Sequence, residues 1–192
     1  MDVGNARKRD RTAVTSVDAN LAPPTPLTTL DTQVPPFFPV SIVKFTVLSL
    51  TTFGIYELFW FYKNWRLIRE REGHLSPFWR TVFAYFFCYE MFKHIRDYPT
   101  PTRANAALPA GPLTAGWILV SLLWRLPDPY WFVSFLAFLF LIPVQMAANK
   151  VNSSVVPTHD PNSRFTAANW AAVVVGGLLL LLDIVGEFVT PP

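Results

Sequence analysis

Apolar residues along this chain are gathered into long runs instead of alternating with polar ones. The two longest runs are Tyr130–Ala148 and Ala167–Val189, and a helix needs about 20 mostly apolar residues to cross a bilayer. Within the second run, Leu178–Leu182 offers no polar face to water. The pattern predicts an all-α, polytopic helical membrane protein, with a soluble bundle of very apolar core helices as the alternative.

Five apolar membrane segments are predicted, of which four to five cross the bilayer. Numbered one to five, they cover Pro39–Tyr62, Pro77–Ile95, Leu113–Leu126, Tyr130–Ala148 and Ala167–Val189. Segment two carries several charged residues, and segment three spans only about 21 Å at 1.5 Å per residue, against ~30 Å of hydrocarbon. Each of these two segments either crosses the bilayer or lies in its interface.

The end of segment one changes from apolar to aromatic to basic. Its aromatic stretch, Trp60–Trp65, is typical of the membrane interface, and the helix is predicted to continue through Arg71. Gly73 is a predicted helix stop, because glycine suits the position after a helix end. Ser76 and Pro77 suit the cap and the first position of the next helix, so we expect a tight helix–turn–helix.

Residues 1–36 form a polar tail that is rich in threonine, proline and aspartate. They cannot bury enough apolar surface to fold alone, so we predict a disordered tail before a helical transmembrane domain at 37–192. The tail has no apolar core of the kind that a signal peptide needs.

Charge narrows the classes of partner. Charged residues make up 15% of the chain, against about 25% in ordinary soluble domains. The basic residues gather at Arg7–Arg11 and Lys63–Arg80, where they suit anionic lipid headgroups. The expected partners are membrane lipids, a second copy of this chain or another membrane protein. Nucleic acid is not expected, because the pattern shows no basic folded soluble domain.

The side of the membrane on which each end lies is left open by the sequence. The denser basic cluster, Lys63–Arg80, is predicted to lie in the cytoplasm, and the basic tail favours the cytoplasm too. Both placements hold only if segment one turns back, and Thr51–Gly54 is the candidate turn.

Ionisable side chains at membrane depth are hypotheses of function by default. If the turn at Gly73–Ser76 folds segment two back along segment one, Glu57 faces Lys93 and His94. Glu90 precedes His94 by four residues, so these two share a helix face. We favour a structural polar seam here over a proton path.

Three amide side chains form a polar stripe at the end of segment four. Gln145, Asn149 and Asn152 are spaced by four and three residues, and Pro143 removes the hydrogen bond to the carbonyl of Leu139. A kink beside such a stripe suits a small polar ligand, whereas hydrogen bonding between helices is the commoner use of amides. The structural use is favoured.

Segment five has one polar face among apolar residues. Asn169, Gly176, Asp183 and Glu187 lie on this face, and Thr166 is the predicted N-cap. Gly176 permits close helix approach, so we predict that this face packs against the other segments. Asp183 is the residue that packing explains least.

The sequence shows no catalytic set and no cofactor motif. None of the three histidines, at His74, His94 and His159, has a second histidine or a cysteine at metal-ligand spacing. Cys88 is the single cysteine of the chain, so no disulfide forms within it. Lys44, near the start of segment one, is expected to extend outward to the headgroups.

The stretch Thr52–Trp65 carries the pattern T-x-G-x-Y-x-x-x-W-x-Y-x-x-W, and this pattern resembles a family of uncharacterised small bacterial inner-membrane proteins. The stretches "SPFWRTVFAYFF" from Ser76 and "PVQMAANKVN" from Pro143 are similar to the same family. The likeness covers residues 37–190. It implies a multi-pass location in a bacterial inner membrane and assigns no activity.

Taken together, the patterns favour a non-enzymatic integral membrane protein that acts by assembly or by binding a partner or lipid. The alternative is a small transporter or channel component in which Glu57, Gln145 and Asp183 line a polar path through the membrane. A membrane enzyme is the third hypothesis.

Overall fold

The computed structural model describes residues 34–103, 105–127 and 130–189, except the side chains at 187 and 188. Within these ranges the chain is helical and has no strand, which confirms the all-α prediction. The described residues belong to one compact unit. The predicted disorder of the tail concerns residues that, up to position 33, lie outside the described ranges.

The described α-helices are α1 (Ile42–Thr51), α2 (Ile55–Glu72), α3 (Pro77–Val82), α4 (Ala84–Asp97), α5 (Ala110–Ser121), α6 (Leu141–Val155) and α7 (Ala167–Val189). Two 3-10 helices, Leu122–Arg125 and Tyr130–Phe140, follow α5 and precede α6. The second one runs directly into α6. The change of helix type comes two residues before Pro143, whose missing N–H cannot continue the helical bonding.

Two helical stretches among the described residues are long and apolar enough to cross a membrane. They are Tyr130–Val155, with 26 residues, and Ala167–Gly186, with 20, and they correspond to segments four and five. By contrast, α1 has 10 residues, or about 15 Å at 1.5 Å per residue. Five crossings therefore stay a prediction.

Segment one is not a single helix, because the chain reverses direction between α1 and α2. Phe53 (φ 52°) and Gly54 (φ 81°) are both left-handed, a conformation that glycine adopts without a steric cost. Phe45 of α1 then packs edge-on against Trp60 of α2, with ring centroids 5.8 Å apart. The fold-back thus occurs at the candidate turn, Thr51–Gly54, and the helix that follows it continues through Arg71, as predicted.

The turn after α2 is as predicted. Gly73 is left-handed at φ 80° and its N–H donates to the carbonyl of Arg69 at 2.8 Å. Pro77 takes the first position of α3, and Ser76 takes the cap position without a capping bond from its hydroxyl. The sequence located this helix–turn–helix correctly.

Segment two breaks at Phe83 (φ −100°, ψ 40°), which separates α3 from α4. Phe61 of α2 stacks on Phe92 of α4 at 6.5 Å, and farther along α2 the ring of Trp65 meets His94 at 5.9 Å. The partner numbers rise together, so α4 runs in the same direction as α2. The prediction of one helix folded back along segment one is wrong.

A short non-helical stretch, Pro36–Val40, enters the core ahead of α1, and we name it the entry segment. Pro36, Phe37 and Val40 are buried, although the sequence assigned Pro36 to the tail. Buried backbone outside helices needs other hydrogen-bond partners. Every carbonyl of the entry segment accepts a bond from a side chain, and the donors are Arg71, Asn152, Gln145, Asn162 and Asn149.

The amide side chains also accept the backbone N–H groups of the entry segment. Asn152 bonds twice to Phe37, accepting its N–H at 3.0 Å and donating to its carbonyl at 2.9 Å. Asn64 accepts the N–H of Phe38 at 3.0 Å, and Gln145 donates to the carbonyl of Phe38 at 3.2 Å. The stripe predicted in segment four therefore holds backbone from the other end of the chain.

Helix α7 contacts the rest of the fold along one narrow face. Thr166 caps the helix, as predicted, by accepting the N–H of Asn169 at 3.3 Å while Asn169 accepts the Thr166 N–H at 3.1 Å. At Gly176 an added Cβ would lie 1.7 Å from the carbonyl oxygen of Thr51, so glycine alone permits this approach to α1. The predicted packing face ends before Asp183, which is exposed.

We expect Gly176→Ala to lower the melting temperature of the detergent-solubilised protein, because the new methyl group overlaps the Thr51 carbonyl. Overpacking of this kind costs typically about 1–3 kcal/mol. Gly177→Ala is the matched control, since nothing lies within 4 Å of its added Cβ and alanine favours helix. Equal melting temperatures for the two variants would contradict the contact between α1 and α7.

We expect Asn152→Ala to destabilise the protein more than Ser153→Ala does. The first change leaves the N–H and the carbonyl of Phe37 buried without partners, and each such group costs about 1–3 kcal/mol. Ser153 is exposed and bonds only to its own helix. Thermal unfolding in detergent measures both variants, and similar melting temperatures would mean that the entry segment is held by other contacts.

Candidate functional site

Glu57 is positioned by the reversal that begins α2. It lies in the first turn of the helix, three residues after Gly54 at the cap, and its side chain is buried with 6% exposure. A carboxylate is stabilised at a helix N-terminus by the positive end of the helix dipole. Glu57 therefore lies at the start of a helix, and not in the middle of a helix, within its apolar stretch of sequence.

The partner of Glu57 is Trp117 of α5. The indole Nε1–H donates to Oε2 of Glu57 at 2.7 Å, and the indole ring is itself 4% exposed. Phe61 holds the indole at 5.0 Å, and Tyr85 stacks on it at 5.2 Å. Because α4 runs parallel to α2, its charged end lies far from Glu57. The predicted pairing of Glu57 with Lys93 and His94 is therefore wrong.

A pocket of about 310 Å³ opens beside this carboxylate. The pocket is lined mainly by apolar and aromatic groups, and its further polar side chains include the hydroxyls of Ser121 and Ser134. Oε1 of Glu57 makes no hydrogen bond to the described residues. None of the described residues in the wall is lysine, arginine or histidine. We name it the Glu57 pocket.

The ionisable groups of α4 meet at a different place, an open cleft of about 450 Å³ between the ends of α2 and α4. Glu90 pairs with Arg80 at 2.6 Å and lies 3.9 Å from His94, which confirms that Glu90 and His94 share a face. His94 also contacts Glu72 at 3.3 Å. Lys93 is exposed and lines the cleft. These groups form a surface network, and Glu57 has no part in it.

Two pKa shifts accompany this network. Partial burial lowers the pKa of the Arg71 guanidinium, while Tyr98 and Glu72 nearby raise it, and arginine stays charged under such shifts. The hydrogen bond from Arg96 lowers the pKa of the Asp97 carboxyl. Both groups therefore keep their charges at neutral pH.

The amide stripe is brought together as predicted. Gln145 is fully buried; its Oε1 accepts the indole N–H of Trp60, and its Nε2 donates to Asn149 at 2.8 Å. With Asn152, these side chains bind the entry segment. The polar groups that a small ligand would need are thus occupied by backbone and by one another.

Two further ionisable residues lie apart from the Glu57 pocket. Asp183 is exposed on α7, and the side chain of Glu187 lies outside the described residues. Lys44 is buried with 3% exposure and donates to Asn162 and to the carbonyl of Arg164, both at 2.8 Å. The prediction that Lys44 extends outward is wrong, because the loop before α7 folds over it.

Sequence reasoning missed Trp117 and Tyr85, which form one side of the Glu57 pocket. A usable signal exists for Trp117, because a buried indole N–H usually finds an acceptor. Segment three, in which Trp117 lies, offers no carboxylate of its own. No such signal points to Tyr85, because the position of its side chain depends on the break between α3 and α4 at Phe83.

We expect the double-mutant cycle of Glu57 and Trp117 to show coupling. Glu57→Gln should be mild, because the amide oxygen still accepts the indole N–H. Glu57→Leu should cost about 1–3 kcal/mol, because it leaves the N–H of Trp117 buried without a partner. Adding Trp117→Phe to Glu57→Leu should recover part of this loss.

The control cycle pairs Glu57→Leu with Lys93→Leu, and here additive effects are expected because the two side chains do not meet. Melting temperatures in detergent measure both cycles. Coupling to Lys93 without coupling to Trp117 would overturn the assignment of the partner.

Neither a search for metal sites nor a comparison with known proteins assigns a further role to these residues. No group of three or more histidine, cysteine, aspartate or glutamate side chains that could hold a metal ion occurs among the described residues. A comparison of the chain with protein-family models, with curated proteins and with solved structures finds no match. The resemblance to the bacterial inner-membrane family therefore stays a prediction, and the geometry of the Glu57 pocket is the feature that indicates a function.

Proposed function

We propose that this chain is a multi-pass protein of a bacterial inner membrane that acts by binding a small ligand, a lipid or a partner, without catalysis. The observation that carries the proposal is the Glu57 pocket, where one oxygen of a buried carboxylate makes no hydrogen bond to the described residues. A pocket with mostly apolar walls and few convergent polar groups is the usual form of a binding site.

The surface of the described fold supports a membrane location. Only 6% of the apolar window in α7 is buried, so α7 is not the core helix of a soluble domain. Large apolar side chains are exposed on other helices too, with Phe86 at 80%, Val43 at 69% and Leu182 at 67%. Soluble monomers rarely expose apolar surface on this scale, and lipid tails or a second membrane protein would cover it.

The path of the chain supports a cytoplasmic placement for both basic regions. Because α1 and α2 form an antiparallel pair, the entry segment lies beside the end of α2, where the Pro36 carbonyl accepts a bond from Arg71. The start of α1 and the end of α2 thus lie on the same side of the fold, together with Lys63–Arg80. We propose that this side is cytoplasmic and that α6 and α7, with the 3-10 helix before α6, cross the bilayer.

The transporter alternative requires a polar path that joins Glu57, Gln145 and Asp183. Gln145 bonds to Trp60 and to the entry segment, and Asp183 lies on the exposed face of α7. Phe45 and Trp60 pack against each other in the core, where Trp60 also bonds to Gln145. Binding therefore fits the geometry better than conduction.

We expect the protein to remain in the membrane after washing with carbonate or high salt. We also expect liposomes that contain the protein to be as impermeable to protons and potassium as empty liposomes. Extraction followed by immunoblotting checks the first result, and a fluorescent flux assay checks the second. Release by carbonate would refute the membrane location. A leak that Glu57→Gln abolishes and Glu70→Gln preserves would favour the transporter.

A further inference from the structure

We propose that the Glu57 pocket binds an organic ammonium ion, with the cationic nitrogen at Oε1 of Glu57 and an apolar body against the aromatic walls. This inference rests on the proposed function and gives its ligand a chemical class. It requires no covalent step, since the ligand is held by charge, hydrogen bonding and apolar contact.

The first argument is the missing counter-charge. A buried carboxylate is costly unless a cation or several hydrogen bonds compensate it. Among the described residues, one such bond reaches Glu57, from Trp117 to Oε2, and the described wall of the pocket supplies no cationic side chain. Oε1 lies 3.7 Å from where a Cβ would sit at Gly54, another residue of the pocket wall. A cation that enters the pocket completes the charge pair.

The second argument is the chemistry of the walls. The pocket is lined by five aromatic side chains, and these are Phe53, Tyr85, Trp117, Trp124 and Phe135. The negative faces of aromatic rings attract cations, and aromatic cages recognise ammonium groups in this way. An anionic ligand would meet the Glu57 carboxylate without any cationic group in the described wall to offset it. The walls therefore select a cation.

The third argument is the size and the rim of the pocket. A volume of about 310 Å³ lies at the lower end of the range for small-molecule sites, so the ligand is small. Three rim residues are apolar or aromatic and exposed, with Ile55 at 69%, Val82 at 54% and Trp124 at 57%. A bare metal ion or a strongly hydrated polyamine would gain nothing from such a rim. The ligand thus joins one ammonium group to an apolar part.

The geometry suits two sources of the same chemistry, a free amine and the ammonium headgroup of a lipid such as phosphatidylethanolamine. The experiment uses the full chain in detergent and two probes of nearly equal shape, benzylammonium and benzyl alcohol. Isothermal titration calorimetry measures both affinities. We expect benzylammonium to bind at least tenfold more tightly than benzyl alcohol.

We expect Glu57→Gln to weaken benzylammonium at least tenfold and to leave benzyl alcohol unchanged. Glu70→Gln is the matched control, because it removes a carboxylate from the exposed face of the same helix, and it should change neither affinity. Equal affinities of the two probes for the wild-type protein would overturn the proposal, whether or not the variant folds. Benzylammonium binding that survives Glu57→Gln in a folded variant would also overturn it.

Nanodiscs separate the two sources. Weaker benzylammonium binding in phosphatidylethanolamine discs than in discs of an uncharged glycolipid supports the proposal with a lipid headgroup as occupant, and equal binding supports it with a free amine. If neither probe binds, but the protein remains in the membrane after carbonate extraction and the liposomes do not leak, the proposed ligand class is wrong and the proposed function still stands. Release by carbonate, or a leak, would instead refute the proposed function.

Discussion

The fold depends on the bonds that side chains make to the backbone of the entry segment. Pro36–Val40 has neither a helix nor a sheet to satisfy its polar groups, yet its residues contribute to the core. Side chains from α2, α6 and the loop before α7 supply the partners. Non-helical backbone away from water is stable only where protein satisfies it in this way. These bonds fix where α1 begins and how α2 and α6 lie against each other.

The entry segment also explains why the chain can reverse so soon after α1. With its start anchored between α2 and α6, α1 needs only 10 residues before the turn at Phe53 and Gly54. The reversal then places Glu57 in the first turn of α2, beside α5. Glu57, a carboxylate within an apolar stretch of the sequence, therefore lies at a helix start that faces a pocket. The aromatic residues after it pack into the core on one side of α2.

Much of the fold could be predicted from local signals. The bounds of α7, its Thr166 cap and the stop at Gly73 all follow from apolar length and from capping chemistry. The break at Phe83 could not be predicted, because no glycine or proline marks it. That break reverses the direction of α4 and so moved Lys93 and His94 away from Glu57. The amide stripe could be predicted, but the backbone of the entry segment that it binds could not, since a proline-rich stretch next to a polar tail gives no sign of burial.

Helix α7 and the pocket are physically connected through the end of α1. Gly176 of α7 lies against the carbonyl of Thr51, and the next three residues form the turn that ends at Gly54 in the pocket wall. The side chain of Thr52 in this turn accepts the N–H of Tyr56 at 2.9 Å, which sets the start of α2. Helix α7 therefore packs against the backbone that leads into the turn, although no side chain of α7 lines the pocket in the described part of the chain.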